Sequence, residues 1–358
     1  MRFDYHTAYG QDRELLRNPS ERWAYGTLVV LLLIAPAMLP KFYVGELTYL
    51  FIMCIASLGL MVLIGYTGQV SLGHAAFMAI GGYAHALLLG AGVPFLSSFV
   101  LAALLAGVTG LIVGLPATRT TGLYLAMVTL AFSIISEHVI GRWKSLTGGF
   151  SGIAVPDPAI AGFALGGLQA FYYLALAVLV AVLLLLINLM RSRTGRAFVA
   201  VRDSEAAAYG MGVDVARYKV LAFVVSAVVC GMAGALLAHH LKFLTPEAFN
   251  LMLSMELLLM VVIGGLGSLH GAVLGALLIG LLPQLISTVK PLLPETLRTQ
   301  AGLEIFLFGF VLAVFVLFEP QGLYGRWLKV RRLLEFFPLY RRDTFRRAKA
   351  YMRSERYR

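Results

Sequence analysis

Charge is what this sequence has least of. Only 13% of its 358 residues are Asp, Glu, Lys or Arg, while 59% are hydrophobic. Soluble domains carry about 25% charged residues. No charged residue occurs over 47–118, 159–190 or 257–289. A spanning helix needs roughly 20 apolar residues, because the hydrocarbon core is about 30 Å thick. The first gap alone has room for three spans, and gaps of this length exclude a soluble core. The apolar–polar alternation of a transmembrane barrel strand, over about 10 residues, is also missing. Helices are then the remaining way to satisfy the backbone in lipid. The expected fold is all-α, a polytopic membrane helix bundle.

Cysteine is nearly absent. Cys54 and Cys230 both fall inside apolar runs, and no CxxC or Cys/His cluster accompanies them. No metal or redox centre is expected. The chain also lacks a GxxxxGK[ST] phosphate loop, an HExxH pair and a GxSxG in a strand-to-helix context. It therefore does not bind ATP by that loop, and no catalytic residue or cofactor is expected.

What is present reads as about ten transmembrane spans, near 23–40, 47–66, 70–90, 95–115, 121–140, 168–190, 218–239, 253–268, 271–289 and 303–319. The first has no better cleavage pattern than Ala35-Pro36-Ala37, so it is read as a retained helix rather than a signal. The third starts on a polar, glycine-rich stretch, which suits a broken or re-entrant start. This divides the chain into an arm (1–22), a transmembrane domain (23–325) with a charged loop (191–217), and a basic tail (326–358).

Cytoplasmic loops of membrane proteins carry an excess of Lys and Arg. With the N-terminus inside, four cations lie in the arm, one at Arg119, six in 191–219 and twelve in the tail. Outside there are six: Lys41, Arg142, Lys144, Lys242, Lys290 and Arg298. Both termini are therefore expected in the cytoplasm, a pattern that eight spans would also satisfy. The longest external connection, about 141–167, is rich in Gly and Pro turn signals. The internal loop 191–217 is charged and helix-compatible.

The segment IGYTGQVSLGH (64–74) recurs loosely as IGGLGSLHG (263–271). Both copies follow an outside-to-inside span and precede an inside-to-outside one. Transporters are often built from repeats with sites near the repeat interface. Tight helical hairpins alone would give the same short, glycine-biased match.

Polar groups inside spans are costly, so each is a candidate for function. Gln69, Ser71 and His74 cluster at the start of the third span. Two readings fit them: weak sites along a translocation path for a small polar solute, or interhelical hydrogen bonds that fix packing. Thr129 and Ser133, four apart on the fifth span, either line a cavity or bond back to their own helix. Glu137, His138 and Glu256 fall near external span ends, where hydration is available. Gly231 and Gly234, with Ala227 and Ala235, make a small-residue face for close helix packing.

Seven motifs, in order, carry a resemblance. They are GYTGQVSLGHAAF (65–77), TGLYLAMVTLAF (121–132), LTGGFSG (146–152), RTGRAF (193–198), RDSEAA (202–207), GGLGSLHG (264–271) and PQGL (320–323). Over roughly residues 45–325 the chain resembles the branched-chain amino acid ABC permease family, Liv-type M subunit. The resemblance implies a multi-pass protein of the bacterial inner membrane in an ATP-driven importer. Its implied partners are a second homologous permease subunit, two ABC ATPase subunits and a periplasmic solute-binding protein. It further implies that the loop 191–217 couples to an ATPase, with Arg196, Arg202, Asp203, Ser204, Glu205, Ala206, Ala207 and Gly210 as the matching residues. Asp203 or Ser204 can cap a helix whose first turn carries Glu205, and the alanines keep it slim enough to enter a groove. The general pattern has Gly six residues after the Glu, where this chain has Met211 between Gly210 and Gly212.

The family implies leucine, isoleucine or valine, while related systems handle other amino acids, amides, urea or aromatic acids. The rival reading is a stand-alone secondary transporter or channel for small amino-acid-like solutes, which would favour paired intramembrane acids. Few acids sit deep in these spans. The basic tail, with Leu333, Leu334, Phe336, Phe337, Leu339 and Tyr340 among its cations, suits membrane lipids at about 1 kcal/mol per cation; fixing topology is its other reading. A tail tethered at the bilayer meets lipid first, so no nucleic acid is expected. A topology reporter fused after Arg196 should read cytoplasmic, and one near Gly152 external. Opposite signals at both positions would overturn the span assignment.

Overall fold

The computed structural model describes residues 19–289, except 121, 161, 162 and 165; it also describes 306, 309, 310, 313, 317 and 322–336. Among these, seven helical segments are long and apolar enough to cross a membrane. They include α2 (Lys41–Thr67), α4 (Phe95–Ala117), α5 (Leu123–Arg142), α7 (Leu168–Arg191) and α10 (Val215–Leu241). The others are Pro246–Gly264, which contains α11 (Leu251–Gly264), and most of α12 (Leu269–Val289). Two further apolar helices are shorter: the Tyr25–Met38 part of α1 (Pro19–Met38), and α3 (His74–Gly90). These nine fall where the first nine spans were expected. All but five positions of the expected span 303–319 lie outside the described residues, as do most of the arm and the tail beyond Phe336.

The described connections include three small α-helices: α6 (Lys144–Thr147), α8 (Arg193–Asp203) and α9 (Glu205–Gly210). Further along the chain comes α13 (Gly322–Phe336). The long connection after α5 is not wholly irregular. Its strand β1 (Ile153–Ala154) pairs antiparallel with β4 (Phe243–Leu244) after α10, and β2 (Ala159–Ile160) pairs with β3 (Phe163–Ala164).

The core helix is α2. It is apolar on every side and is the most buried of the crossing helices, as expected of a helix hydrophobic all round. Its end is set by Gly68, whose φ of 71° lets the Gly68 and Gln69 amides turn back to the Ile64 and Leu63 carbonyls, each at 3.1 Å. Lipid supplies little hydrophobic drive between helices, so close packing relies on small side chains. The small face of α10 meets α3 and α4 in this way. A Cβ on Gly234 would overlap the Met78 carbonyl, and one on Gly110 would stand 2.5 Å from Ala227 Cβ. On α4 the small residues Ala102, Ala103 and Ala106 are buried, while Leu101, Leu104, Leu105 and Ile112 are exposed. This is the division expected of a helix with lipid on one side.

Helix α1 contains Pro36 and is followed by Pro40, so the carbonyls of Leu32 and Pro36 lose the amides that would pair with them. Helix α7 supplies replacements. Tyr172 Oη donates to the Leu32 carbonyl at 2.8 Å, and Gln169 Nε2 to that of Pro36 at 3.3 Å. Tyr173 Oη adds a bond to the Leu33 carbonyl at 2.9 Å. Three polar side chains thereby fasten an otherwise exposed helix to the bundle.

Candidate functional site

The break between α2 and α3 spans residues 68–73, so α3 begins at His74 rather than near 70. Non-helical backbone inside a membrane protein must find partners within the protein. Here side chains from two other helices provide them. The Leu72 amide donates to Thr129 Oγ1 on α5 at 3.0 Å, and the Ala75 amide to Ser254 Oγ on α11 at 3.0 Å. The Gly73 amide donates to Ser71 Oγ at 3.3 Å. A Cβ on Gly73 would stand 2.8 Å from the Thr129 carbonyl, so only glycine lets this turn lie against α5.

From this loop a polar chain runs into the core. Ser226 Oγ on α10 donates to the Gly59 carbonyl of α2 at 2.6 Å. Its one proton is thereby used, so it accepts from His74 Nε2, 2.7 Å away. His74 Nδ1 then accepts from Ser71 Oγ at 3.0 Å. This order of donors matches the Nε2–H tautomer of the ring. Gln69 Nε2 donates to Thr67 Oγ1 at 2.9 Å and to the Lys219 carbonyl at 3.4 Å, while its Oε1 has no partner among the described residues.

All five residues expected along a path are buried within this subunit: Gln69, Ser71, His74, Thr129 and Ser133. The loop and its bonds bring the first four together, and Ser133 lies one turn further along α5. Thr129 Oγ1 also bonds back to the Ala126 carbonyl at 3.0 Å. Of the external-end candidates, His138 shares a cavity of about 580 Å³ with Ile134, Ile135, Val139, Arg142 and Trp143 on the outer face of α5. A second buried polar group escaped the sequence reading. His85 Nε2 on α3 and His239 Nε2 on α10 are 2.9 Å apart, with Ser98 Oγ 3.0 Å from His85 Nδ1. Only the presence of His in apolar runs hinted at it.

The charged loop is two helices in an angled pair. Ser192 caps α8, accepting from Thr194 and Gly195 amides at 3.1 and 3.4 Å. Of the two residues able to cap α9, Ser204 does so, accepting from the Ala207 amide at 3.2 Å. Asp203 instead binds Arg202, at 2.9 Å. Arg196, Arg202, Asp203, Ser204, Glu205, Ala206, Ala207 and Gly210 are all exposed, as are Tyr209 and Met211, whereas Ala208 faces the bundle. The result is a small projecting helix with an apolar outer surface.

A helical, multi-pass protein with a charge-poor bundle and a projecting helical pair is the architecture of a membrane permease. A family described as the branched-chain amino acid transport system, permease component, matches residues 42–318. The chain belongs to this family. The high-affinity branched-chain amino acid transport system permease protein LivM of Escherichia coli (strain K12) is 32% identical over 324 residues, covering 83% of this chain and 74% of that protein. The probable branched-chain amino acid transport permease protein LivH of Methanocaldococcus jannaschii is 25% identical over 305 residues, covering 81% and 94%. Among solved structures, PsaBC from Streptococcus pneumoniae in complex with Fab has 16% identity and a TM-score of 0.44, covering 85% of this chain and 99% of that one. That score is too low to bear on the fold.

The hydrogen-bond chain has a measurable weight. Ser226→Ala strips His74 of its acceptor in a buried site, which should lower stability by about 1–3 kcal/mol. Replacing the exposed Ser97 in the same way should change it by less than about 0.5 kcal/mol. Unfolding in detergent, followed by circular dichroism, separates the two. Equal midpoints would mean that the chain carries no packing weight.

Proposed function

We propose that this chain is the translocation-path subunit of an ATP-driven importer for branched-chain amino acids in a bacterial inner membrane. It pairs with a second homologous permease subunit. Two ABC ATPase subunits supply the energy, and a periplasmic binding protein delivers the solute. The observation that carries the reading is the family match over 42–318, within which the exposed helix α9 lies. A chain without a phosphate loop needs its nucleotide site on another protein, and a slim helix with exposed alanines suits a groove on such a partner. Arg196, Arg202, Asp203, Ser204, Glu205, Ala206, Ala207 and Gly210 form this coupling element.

The path itself runs where two permease subunits meet. Helix α5 is the least buried crossing helix, and Tyr124, Met127, Ile134 and Ile135 are exposed on it. Gln69, Ser71, His74, Thr129 and Ser133 shape the path from within: Thr129 holds α5 against the broken start of α3, and Gln69, Ser71 and His74 tie that start to α10. The cations of 191–219 and of the tail support a cytoplasmic position for both termini, and the tail suits anionic headgroups.

The test is uptake of labelled leucine into proteoliposomes that hold the permease pair and its ATPases, with the binding protein outside. Accumulation should require internal ATP. Ala207→Arg should abolish it and weaken ATPase copurification, because Arg is too large for a close docking surface. Uptake by the permease alone, driven by an ion gradient, would favour the stand-alone secondary transporter and sink this reading.

A further inference from the structure

Contacts at one end of the bundle tie α8 and α9 to three other elements. Glu205 Oε1 on α9 lies 2.7 Å from Lys219 Nζ on α10. The Lys219 side chain is 3% exposed and that of Glu205 47%. The Lys219 carbonyl in turn accepts from Gln69 in the loop before α3, at 3.4 Å. Arg202, in the last turn of α8, donates from Nη1 to the Gly65 carbonyl of α2 at 3.1 Å, while Nε and Nη2 hold Asp203 Oδ1 at 3.0 and 2.9 Å.

Glycine keeps open the space that Arg202 fills. A Cβ on Gly68 would stand 3.3 Å from Arg202 Cγ, and one on Gly267 2.9 Å from Nη1. The two glycine stretches also touch each other, since a Cβ on Gly65 would stand 2.8 Å from the Gly267 amide nitrogen. The similar segments 64–74 and 263–271 thus both approach one arginine from the exposed helical pair.

The unequal exposure of the ion pair has a mechanical consequence. If α9 moved without α10, the buried Lys219 side chain would lose its ion pair with Glu205. Leaving a buried polar group without its partner is unfavourable. The foot of α10 therefore follows α9. Arg202 does the same for α2 and the α11–α12 hairpin, because its guanidinium is bonded to the Gly65 carbonyl of one and lies against Gly267 of the other. The outer face of α9, with Ala206, Ala207 and Tyr209, stays free of these contacts.

We infer that Lys219 and Arg202 are positioning residues that transmit displacement of α8 and α9 to α10, α2 and both glycine hairpins. This rests on the proposed docking of an ATPase at α9. The division of labour is by face: the outer face of the pair meets the partner, and the inner face moves the spans.

The test uses the assembled transporter in proteoliposomes, reading ATPase copurification, ATP hydrolysis and solute uptake. Lys219→Met should leave copurification intact, because the docking face is untouched. Uptake per ATP hydrolysed should fall about ten-fold. Lys219→Arg, which keeps the ion pair, should recover most of the loss. A second measurement needs no change at the pair. Spin labels at Arg193→Cys on α8 and Arg217→Cys on α10, both exposed, should keep a constant separation when ATP is added. The native thiols are both buried and leave the labelling selective. Normal uptake per ATP in Lys219→Met, or a label separation that shifts with ATP, would overturn the inference. A wild-type complex that holds no ATPase would instead count against the proposed function.

Discussion

Close approach of helix backbones through small residues is the constraint on which this bundle depends. In lipid, apolar side chains gain little by leaving their surroundings for one another, so dispersion contacts and internal hydrogen bonds must hold the helices. Both strengthen as backbones come closer. Helix α10 is built for that, with Ala222, Ala227, Cys230, Gly231 and Gly234 all buried. Gly81 on α3 sits directly against the Gly231 backbone, and Gly107 on α4 leaves room for Val228. The same device recurs between α11 and α12, where Gly264 and Gly271 meet backbone to backbone.

Tight packing sets the terms for every polar group inside. The broken start of α3 is tolerated because Thr129 and Ser254 satisfy its amides. His74 is tolerated because two serines fix its donor and acceptor. The exposed pair α8 and α9 then attaches to this interior by charge: Lys219 reaches out to Glu205, and Arg202 reaches in to Gly65. The proposed import mechanism needs such a joint, where a surface element grips a core that is otherwise apolar.

Much of this was legible in the sequence, for physical reasons that can be named. Long apolar runs placed nine helices of the described residues near their expected positions, because lipid demands such runs. The glycine-rich GQVSLG stretch forecast a broken third helix, since Gly68 and Gly73 occupy positions where a side chain is strained or excluded. Ser204 was one of two foreseen caps for α9. The pairings between distant residues were not legible. Lys219 stands in the second turn of an apolar helix, which was a clue, but its partner lies beyond a turn on another helix. The pairing of His85 with His239 left no trace beyond the presence of His in apolar runs, and the α7 side chains Tyr172 and Gln169, which offset Pro36 and Pro40, left none. Burial of Gln69, Ser71, Thr129 and Ser133 inside one subunit also had no signature, because a path-lining serine and a packing serine look the same in sequence.

The central claim is that α2 is clasped without gaps between α10 and α12, and the two native thiols report on both contacts. Cys230 Sγ lies 3.5 Å from the Ala56 carbonyl of α2, and a Cβ on Gly59 would stand 2.8 Å from it. Cys54 Sγ on α2 lies 3.9 Å from the Val273 carbonyl of α12. The measurement is the intact mass of the unmodified protein after exposure, in lipid, to a small membrane-permeant maleimide. The account predicts no adduct while the protein is folded, whether resting or turning over, and two adducts once it is denatured. A single adduct on the folded protein would contradict it.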